Sequence, residues 1–385
     1  MISMYKAIDI LSGFAFDSKL FNSSGKGLPL VRIRDVGRNS SGTFYSGAYK
    51  DDYLIENGDF LIGMDGEFRL AEWSGGKALL NQRVCKIMPK HESLYPKYLF
   101  YLMPKELKRI EDTTSFVTVK HLSVKKIKEI KIPLPSLEEQ KKIAAILDAA
   151  DALRQKDAQL IAKYNALSQS LFLDMFGDIK EGKYETKTLE DLFGKGEYGA
   201  GAKAVGYSEN SPRYIRITDI DAEGALRSKK VSSDLPEKDL AKYTLKKGDL
   251  LFARSGATVG KTYLYRKSHG DLVYAGYLIK FSIKEPFNAE YFFHFTKTAF
   301  YNAWIQKIQN VVAQPNINAK QYGQELNVPI PPVELQNQFA ERIQHIETQK
   351  QQAQAALQKS EDLFNSLLQR AFKGELTQER EVSHA

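Results

Sequence analysis

The stretch ARSGATVGKT, at residues 253–262, has the glycines, the lysine and the threonine of a phosphate-binding loop. A Walker A loop has four residues between its glycines, whereas three separate Gly256 from Gly260, and Ser255 stands where the first glycine belongs. The following residues alternate as in a β-strand, but a phosphate-binding loop leads into a helix whose amides face the anion. The pattern therefore disfavours ATP or GTP binding, and a nucleotide-dependent enzyme using residues 253–262 is kept as an alternative.

Other residue patterns that could carry out catalysis or bind metal are missing. The N-P-P-[YF] loop with which adenine methyltransferases hold the target amine is absent, and QPNI at 314–317 does not replace it. There is no G-x-S-x-G motif. The single cysteine, Cys85, excludes an intramolecular disulfide and a thiolate zinc cluster, and the six histidines lack metal-binding spacing. We therefore predict no catalytic residues and no metal site, and we expect Cys85 to be buried.

The composition favours a polyanionic partner. The 385 residues carry a net charge of +8, and the isoelectric point is near 9.1. No apolar run approaches 18 residues, and the start of the sequence lacks the basic and then apolar order of a signal peptide. We expect a cytoplasmic protein that does not enter a membrane.

An internal repeat organises the chain. IPLPSLEEQ at 132–140 returns as VPIPPVELQ at 328–336, an offset of 196 residues, and about 40 helix-forming residues follow each copy. Two further landmarks recur upstream: RIRDV and RITDI, which start at Arg32 and Arg216, and GDFLIG and GDLLFA, which start at Gly58 and Gly248. Short alternating apolar runs separated by Gly, Asn, Ser and Asp indicate strands before each proline segment. The prolines cannot lie inside a helix, so they separate each globular part from a long helix.

We therefore predict an α+β fold with a pseudo-two-fold internal repeat, in which two mixed α/β domains are separated by two long helices that pair as an antiparallel coiled coil. Each helix would be about 60 Å long at ~1.5 Å per residue, too long for one small domain to bury. The predicted boundaries are a first domain at 1–131, a hinge and long helix at 132–178, a second domain at 179–327, a second hinge and long helix at 328–378, and a flexible tail at 379–385.

The apolar residues of both helices follow steps of three and four, which is the spacing of a coiled-coil seam. In the first helix the predicted seam residues are Ile146, Ala150, Leu153, Leu160, Tyr164, Leu167 and Leu171, with Asp157 as a polar member. In the second helix they are Ile343, Ile346, Ala353, Leu357, Phe364, Leu367 and Ala371, with Lys350 and Ser360 as polar members.

The paired segments IPLPSLEEQ and VPIPPVELQ, each after a β-rich domain, resemble those of the DNA specificity (S, HsdS) subunits of type I restriction-modification systems. The resemblance covers essentially the whole chain. It implies that each globular part is a target recognition domain that reads one half of a bipartite, asymmetric double-stranded DNA target, and that the helices set the gap. It also implies that the subunit is non-catalytic. Two modification subunits would methylate adenine and restriction subunits would carry out restriction, both at the site that this subunit selects. S-adenosylmethionine, ATP and Mg²⁺ would belong to those partners, so no cofactor is expected here.

From the resemblance we expect the loop at 254–261 to face DNA. Its lysine and arginine would contact phosphate or guanine, and its glycines would permit a close approach. The counterpart loop at 63–69 carries Asp65 and Glu67, which could accept a hydrogen bond from cytosine N4, so the half-sites should differ. The candidate DNA-contacting residues are Arg34, Asp65, Glu67, Lys77, Gln82, Arg83, Arg216, Arg254, Ser255, Thr258 and Lys261. A non-specific DNA-binding coiled-coil adaptor is a second alternative.

Overall fold

The computed structural model of the chain describes residues 1–113, 120–309 and 316–377. It divides into unit 1, formed by Met1–Lys156 with Leu357–Ala385, and unit 2, formed by Asp157–Ala356. The predicted tail at 379–385, and residue 378 before it, lie outside the described residues. Within those residues, no helix is both long enough and apolar enough to cross a lipid bilayer.

Short strands and helices precede a long helix that begins in unit 1 and ends in unit 2. These elements are β1 (Ile2–Ser3), α1 (Met4–Ala7), β2 (Ile8–Ser12), β3 (Phe21–Asn22), β4 (Leu28–Val31), β5 (Phe44–Tyr45), β6 (Leu54–Ile55), β7 (Phe60–Gly63), β8 (Leu70–Glu72), β9 (Ala78–Leu80), β10 (Val84–Pro89), α2 (Pro96–Thr113), α3 (Val124–Glu129), β11 (Lys131–Ile132) and α4 (Leu137–Phe176). An antiparallel sheet has the strand order β2-β10-β7-β8, and a mixed sheet has the order β3-β5-β4-β9-β6 with β4 and β9 parallel. Short β1 pairs with β11.

Unit 2 repeats this arrangement and leads into the second long helix. Its elements are β12 (Thr186–Thr188), α5 (Leu189–Phe193), β13 (Glu197–Tyr198), β14 (Ala204–Val205), β15 (Arg213–Ile215), β16 (Ser232–Ser233), α6 (Glu237–Tyr243), β17 (Asp249–Ala253), β18 (Thr262–Leu264), β19 (Leu272–Tyr274), β20 (Leu278–Ser282), α7 (Ala289–Phe295), α8 (Ala299–Gln309), α9 (Ala319–Glu325), β21 (Asn327–Pro329) and α10 (Val333–Lys373). The order β13-β20-β17-β18 matches β2-β10-β7-β8, and parallel β15 and β19 match β4 and β9. The predicted α+β fold with an internal repeat is confirmed.

One central strand of each antiparallel sheet, β7 and β17, is buried along its whole length and is mainly apolar. All four residues of β7 and all five of β17 are buried. In unit 1 the core joins Ile62 and Ile87 of this sheet to Tyr98 and Leu102 of α2. Cys85 lies in the same core, as expected, and burial raises the pKa of its thiol to about 12.

The repeated proline segments end in a glutamine that fastens each globular part to its long helix. Gln140 and Gln336 are both fully buried. Their bonds go to backbone groups of the same unit: Tyr95 N to Gln140 Oε1 (2.8 Å), Gln140 Nε2 to Ser93 O (2.8 Å) and Pro135 O (2.9 Å), Asn288 N to Gln336 Oε1 (3.1 Å), and Gln336 Nε2 to Pro331 O (2.9 Å). A buried amide must satisfy both its oxygen and its nitrogen, so the motif recurs because this fastening recurs.

The long helices run antiparallel where they meet inside unit 1. Near the start of α4, Glu139 Oε1 accepts a bond of 2.6 Å from the hydroxyl of Thr377, just beyond the end of α10. Further along α4, the guanidinium of Arg154 lies 4.6 Å from the ring centre of Phe364. Increasing residue numbers on α4 therefore face decreasing numbers on α10, and the predicted antiparallel pairing is confirmed.

Inside unit 2, the end of α4 meets the start of α10. The rings of Phe172 and Phe176 lie 5.5 and 5.2 Å from the ring of Phe339. The inward side of α10 contains the residues of its predicted seam, all buried or half-buried: Ile343, Ile346, Lys350, Ala353, Leu357, Ser360, Phe364, Leu367 and Ala371.

The seam of α4 requires a correction of one residue at alternate positions. Four predicted seam residues are between 37% and 49% exposed: Ile146, Leu153, Leu160 and Leu167. The other predicted positions are buried or half-buried: Ala150, Asp157, Tyr164 and Leu171. Their inward companions are Leu147, Arg154, Ile161 and Ser168. The four exposed residues and their four inward companions both repeat every seven residues. The prediction chose the exposed set because it is the more apolar one, although the face that the helix buries includes Arg154 and Ser168.

Candidate nucleic-acid interface

The near-phosphate loop joins two antiparallel strands and does not lead into a helix. Strands β17 and β18 pair, and a single 3₁₀ turn at Gly256–Thr258 lies between them. The loop is closed by backbone bonds from Ala253 N to Lys261 O (2.8 Å) and from Gly260 N to Ala253 O (3.1 Å). The amides that would face a phosphate at a helix start are therefore not arranged for it, which agrees with the failed sequence motif.

Position 260 requires glycine because the backbone of the loop lies close to the side chain of Ile305. Its φ is +85°, and a Cβ there would lie 2.9 Å from the side chain of Ile305 in α8. The loop is thus packed directly onto the helix behind it, and the remaining side chains of residues 254–261 project from a fixed backbone.

Arg254 is the most clearly presented cation of this loop. Its guanidinium lies 4.9 Å from the ring centre of Tyr198, and its Nε donates to Asn316 Oδ1 at 3.2 Å. The two terminal nitrogens make no hydrogen bond to any residue that the structure describes. A guanidinium held on one edge and stacked on one face offers its other edge as a fork of two donors.

The other predicted residues of this loop make bonds within the chain. Thr258 Oγ1 donates to Ser255 O at 2.9 Å, and Ser255 pairs with Asn316 in an isolated antiparallel bridge. The ammonium of Lys261 is half-buried and donates to Ile220 O at 3.2 Å. One such bond leaves two of the three ammonium protons for another acceptor.

The repeated R-I-x-D landmarks are local structural devices. Asp35 and Asp219 are each 4% exposed, and each accepts a bond from the backbone N–H of the arginine three residues earlier, at 3.0 and 2.9 Å. Arg216 also donates Nε and Nη2 to both oxygens of Asp219, at 2.9 and 2.8 Å. The guanidinium of Arg216, a candidate DNA contact, is therefore used within its own turn. The candidate Arg34 donates Nη2 to Thr43 Oγ1 at 2.9 Å.

Unit 1 brings Asp65 and Arg83 together at the corresponding place. Asp65 Oδ1 lies 2.6 Å from His121 Nδ1 and 3.4 Å from Arg83 Nη1. Glu67 and Gln82 are exposed beside them in sequence. Lys77 is not part of this cluster, because it precedes β9 while Arg83 follows it, and Lys77 pairs with Glu56 at 3.5 Å.

The two clusters occupy equivalent backbone positions. We define the hairpin end of unit 1 as residues 64–69, 81–83 and 120–122, and that of unit 2 as residues 254–261, 275–277 and 316–317. The same three backbone connections build both: bridges Asp65 with His121 and Ser255 with Asn316, bonds Met64 N to Arg83 O (2.9 Å) and Arg254 N to Tyr277 O (3.1 Å), and bonds Leu122 N to Met64 O (2.7 Å) and Ile317 N to Arg254 O (2.8 Å).

Sequence reasoning missed four residues of these hairpin ends and their surroundings: His121, Asn316, Tyr198 and Tyr277. The tyrosines are 44% and 62% exposed, and the ring of Tyr198 lies beside the guanidinium of Arg254. The glycine-rich run EYGAGAKAVGY at 197–207 could have drawn attention to Tyr198. His121 and Asn316 come from segments far away in sequence, and no local signal marks them.

The sequence of the chain is similar to a known protein family and to characterised relatives. The family model described as "Type I restriction modification DNA specificity domain" matches residues 8–163 and 181–359. The chain is 28% identical to the type I restriction enzyme EcoBI specificity subunit of Escherichia coli, over 98% of this chain and 86% of the relative. It is 25% identical to the MjaVIII specificity subunit of Methanocaldococcus jannaschii, over 77% and 74% of the two chains.

A similar fold is found among solved structures. The crystal structure of a type I restriction-modification system S subunit from M. genitalium has a TM-score of 0.56 and 15% sequence identity, and the alignment covers 96% of this chain and 95% of that one. Because the family model matches most of the chain, this protein belongs to the family of type I restriction modification DNA specificity domains.

Proposed function

We propose that this chain is the specificity subunit of a type I restriction-modification complex and binds double-stranded DNA with the hairpin ends of both units. The observation that carries the proposal is that the two units share one backbone arrangement there and fill it with different polar and aromatic side chains. A shared frame suits a common ligand, and different side chains suit different base sequences. Each unit then reads one half of a bipartite, asymmetric target.

The subunit is non-catalytic, and methylation and restriction are carried out by its partners. Two modification subunits bind S-adenosylmethionine and methylate adenine, and restriction subunits with their ATP and Mg²⁺ join the assembly. The exposed apolar residues of α4 support such docking. Ile146 and Leu153 lie on the part of α4 that belongs to unit 1, and Leu160 and Leu167 on the part that belongs to unit 2. Each part offers two apolar residues seven positions apart, the spacing that a partner helix can cover.

The test uses the full chain co-produced with its modification subunits. Methylated duplexes are selected from a library in which both half-sites and the gap are randomised, and are then sequenced. Two short motifs at a fixed gap are expected. Uniform, salt-sensitive binding without a motif would contradict the proposal and favour the non-specific adaptor.

The role of the helices is tested by a matched insertion. Seven residues are added to α4 after Ala152 and seven to α10 after Asn365. In the antiparallel pair both insertions lie on the same side of the Arg154–Phe364 contact and face each other, and both seams stay in phase. Two helical turns add roughly 10 Å, about three base pairs of DNA. The preferred gap should lengthen with both half-sites unchanged, and an unchanged gap would show that the helices do not set it.

A further inference from the structure

We propose that Arg83 reads a guanine in the half-site bound by unit 1, and that Asp65 and His121 are positioning residues that hold its guanidinium for that contact. The inference rests on the proposed function. It differs from the sequence expectation, in which Asp65 itself accepts a hydrogen bond from cytosine.

The backbone brings these three residues together from separate parts of the chain. Asp65, on the β7–β8 loop, pairs with His121 in an antiparallel bridge. The bridge lies between two backbone bonds, Gly66 N to Lys120 O at 2.9 Å and Leu122 N to Met64 O at 2.7 Å. Met64 N donates to Arg83 O at 2.9 Å, which fixes the turn after β9 to the same loop. Side chains that start from a frame bonded at three places have few alternative positions.

The side chains are arranged so that Asp65 acts on its neighbours. One oxygen of Asp65, Oδ1, receives His121 Nδ1 at 2.6 Å and lies 3.4 Å from Arg83 Nη1. The Asp65 side chain is 26% exposed, compared with 50% for His121 and 57% for Arg83. The carboxylate is therefore engaged by two side chains that both reach further into solvent than it does. A group in that position orients its neighbours, and the outermost group is the one that a base meets.

Arg83 has the donors that guanine requires. Its Nη1 donates to Asp65 Oδ1 at 3.4 Å and lies 3.4 Å from His121 Nδ1, whose own bond is to Asp65, so His121 acts on Arg83 through Asp65. Within the described part of the chain Nε and Nη2 of Arg83 make no hydrogen bond. Guanine presents O6 and N7 side by side in the major groove, and a two-donor edge of arginine matches both. The same edge finds no equivalent pair on cytosine or thymine.

The backbone of Arg83 supports a role for its side chain. Its φ is +72°, in the left-handed region that glycine adopts easily and that side-chain-bearing residues rarely adopt. An arginine at such a turn position carries a conformational cost that glycine would avoid. At this position the guanidinium lies beside Asp65 and His121, and the side chain is 57% exposed.

Arg83→Gly removes the side chain and relieves the backbone, so loss of folding does not confound the result. In the complex with its modification subunits, this variant should lose about 5- to 150-fold of the preference for guanine at one base pair of one half-site. The other half-site should be unchanged. Arg83→Lys should lose part of the same preference, because a flexible ammonium lacks the rigid planar fork that matches both acceptors. A uniform loss in Arg83→Gly that Arg83→Lys restores would mean a phosphate contact and would overturn the proposal.

Asp65→Asn and His121→Ala test the positioning roles. Each should weaken the preference at the same base pair as Arg83→Gly, and neither should have a further effect at that base pair when combined with Arg83→Gly. Additive losses, or a relaxed preference at a different base pair, would show that Asp65 or His121 reads a base itself. If the unaltered chain selects no motif, the proposed function fails. If it selects a motif that Arg83→Gly leaves intact, this inference alone fails.

Discussion

The hairpin ends of the two units have the same backbone and opposite sources of positive charge. In unit 1 the arginine, Arg83, comes from the turn, and the β7–β8 loop supplies the acidic Asp65. In unit 2 the arginine, Arg254, comes from the loop between β17 and β18, and the turn supplies the exposed ring of Tyr277. The backbone bonds that join loop, turn and third segment are present in both. The bonded frame is thus independent of the side chains that project from it, which is how a duplicated domain can acquire a new ligand preference without a new fold.

Independent reading of the two half-sites by the two units is tested most directly by exchanging a whole domain. Replacing residues 1–131 with the corresponding segment of a relative should change one half-site completely and leave the other unaltered, because each hairpin end is built within its own unit. Selection of methylated duplexes from the randomised library measures both halves at once, and the reciprocal exchange of 179–327 is the control. If either exchange alters both half-sites, the units do not read independently.

The next largest effect is expected from Arg254→Ala. The free edge of a guanidinium stacked on Tyr198 and bonded to Asn316 favours a two-donor contact to guanine, worth about 1–3 kcal/mol at one base position. Affinity across single-base variants of the second half-site measures it. Lys267→Ala is the matched control, because it also removes one cation but lies beyond the other end of β18. Equal, sequence-independent losses in both variants would remove Arg254 from base recognition.

The two units differ at one buried position close to the hinge. The hydroxyls of Tyr98 and Tyr291 bond the hinge carbonyls of Pro133 and Pro329, at 3.1 and 2.7 Å, which aligns α2 with α7. Three residues later unit 1 has Tyr101, whose hydroxyl donates to Asp148 at 2.6 Å. Unit 2 has His294 at the same place, with Nε2 buried and without a partner among the described residues.

Burial lowers the pKa of His294 to about 3, and the positive charges of Arg266, Lys297 and Lys350 add to this effect. The unfolded chain takes up the proton near pH 6.5 but the folded unit does not, so stability is unaffected above that pH and falls as the pH decreases toward 3. At pH 5 the loss is about 2 kcal/mol.

Amide hydrogen exchange resolved along the chain measures this effect for each unit separately. Protection of α7 should fall between pH 7 and pH 5 by more than that of α2. His294→Phe should remove most of the difference because it cannot take up a proton. If α7 in the His294→Phe variant keeps the original pH dependence, His294 is not its source.

The fold was largely predictable because its signals are local or repeated. The proline segments, the two helices of about 40 residues and the strands around 60–63 and 278–282 follow from periodicity and from the second copy of each landmark. The α4 seam was misplaced by one residue at alternate positions because two parallel stripes share the seven-residue spacing. The sequence shows that Leu153 is more apolar than Arg154, but it does not show that the ring of Phe364 packs against Arg154.

The site was predictable only where it lies on a landmark. Arg254 and Asp65 sit on recurring hairpins, so their positions could be inferred. Their partners Asn316 and His121 are 62 and 56 residues away along the chain, and only the folded backbone brings them together. Arg216 was predicted to contact DNA, and its guanidinium is bonded to both oxygens of Asp219, whereas its counterpart Arg32 donates its backbone N–H to Asp35. The DNA contact of Arg216 stays a prediction. A recurring charged residue can mark a recurring turn as easily as a ligand.

The smallest effect is expected from Lys261→Ala, and it separates positioning cations from reading ones. Lys261 donates one ammonium proton to Ile220 O at 3.2 Å and is half-buried. Because its ammonium lacks the rigid planar fork of arginine, we assign the remaining two protons to a phosphate. Its loss should weaken binding to all sequences alike and reduce the slope of log affinity against log salt by about 0.9, the value for one phosphate contact. Titrations at several salt concentrations, on the preferred sequence and on an unrelated duplex, give both quantities. Arg254→Ala should instead change the preferred sequence far more than the unrelated one. If Lys261→Ala leaves the salt slope unchanged while lowering the melting temperature, the lysine serves only to tie the hairpin to Ile220, and the phosphate contacts of unit 2 lie elsewhere.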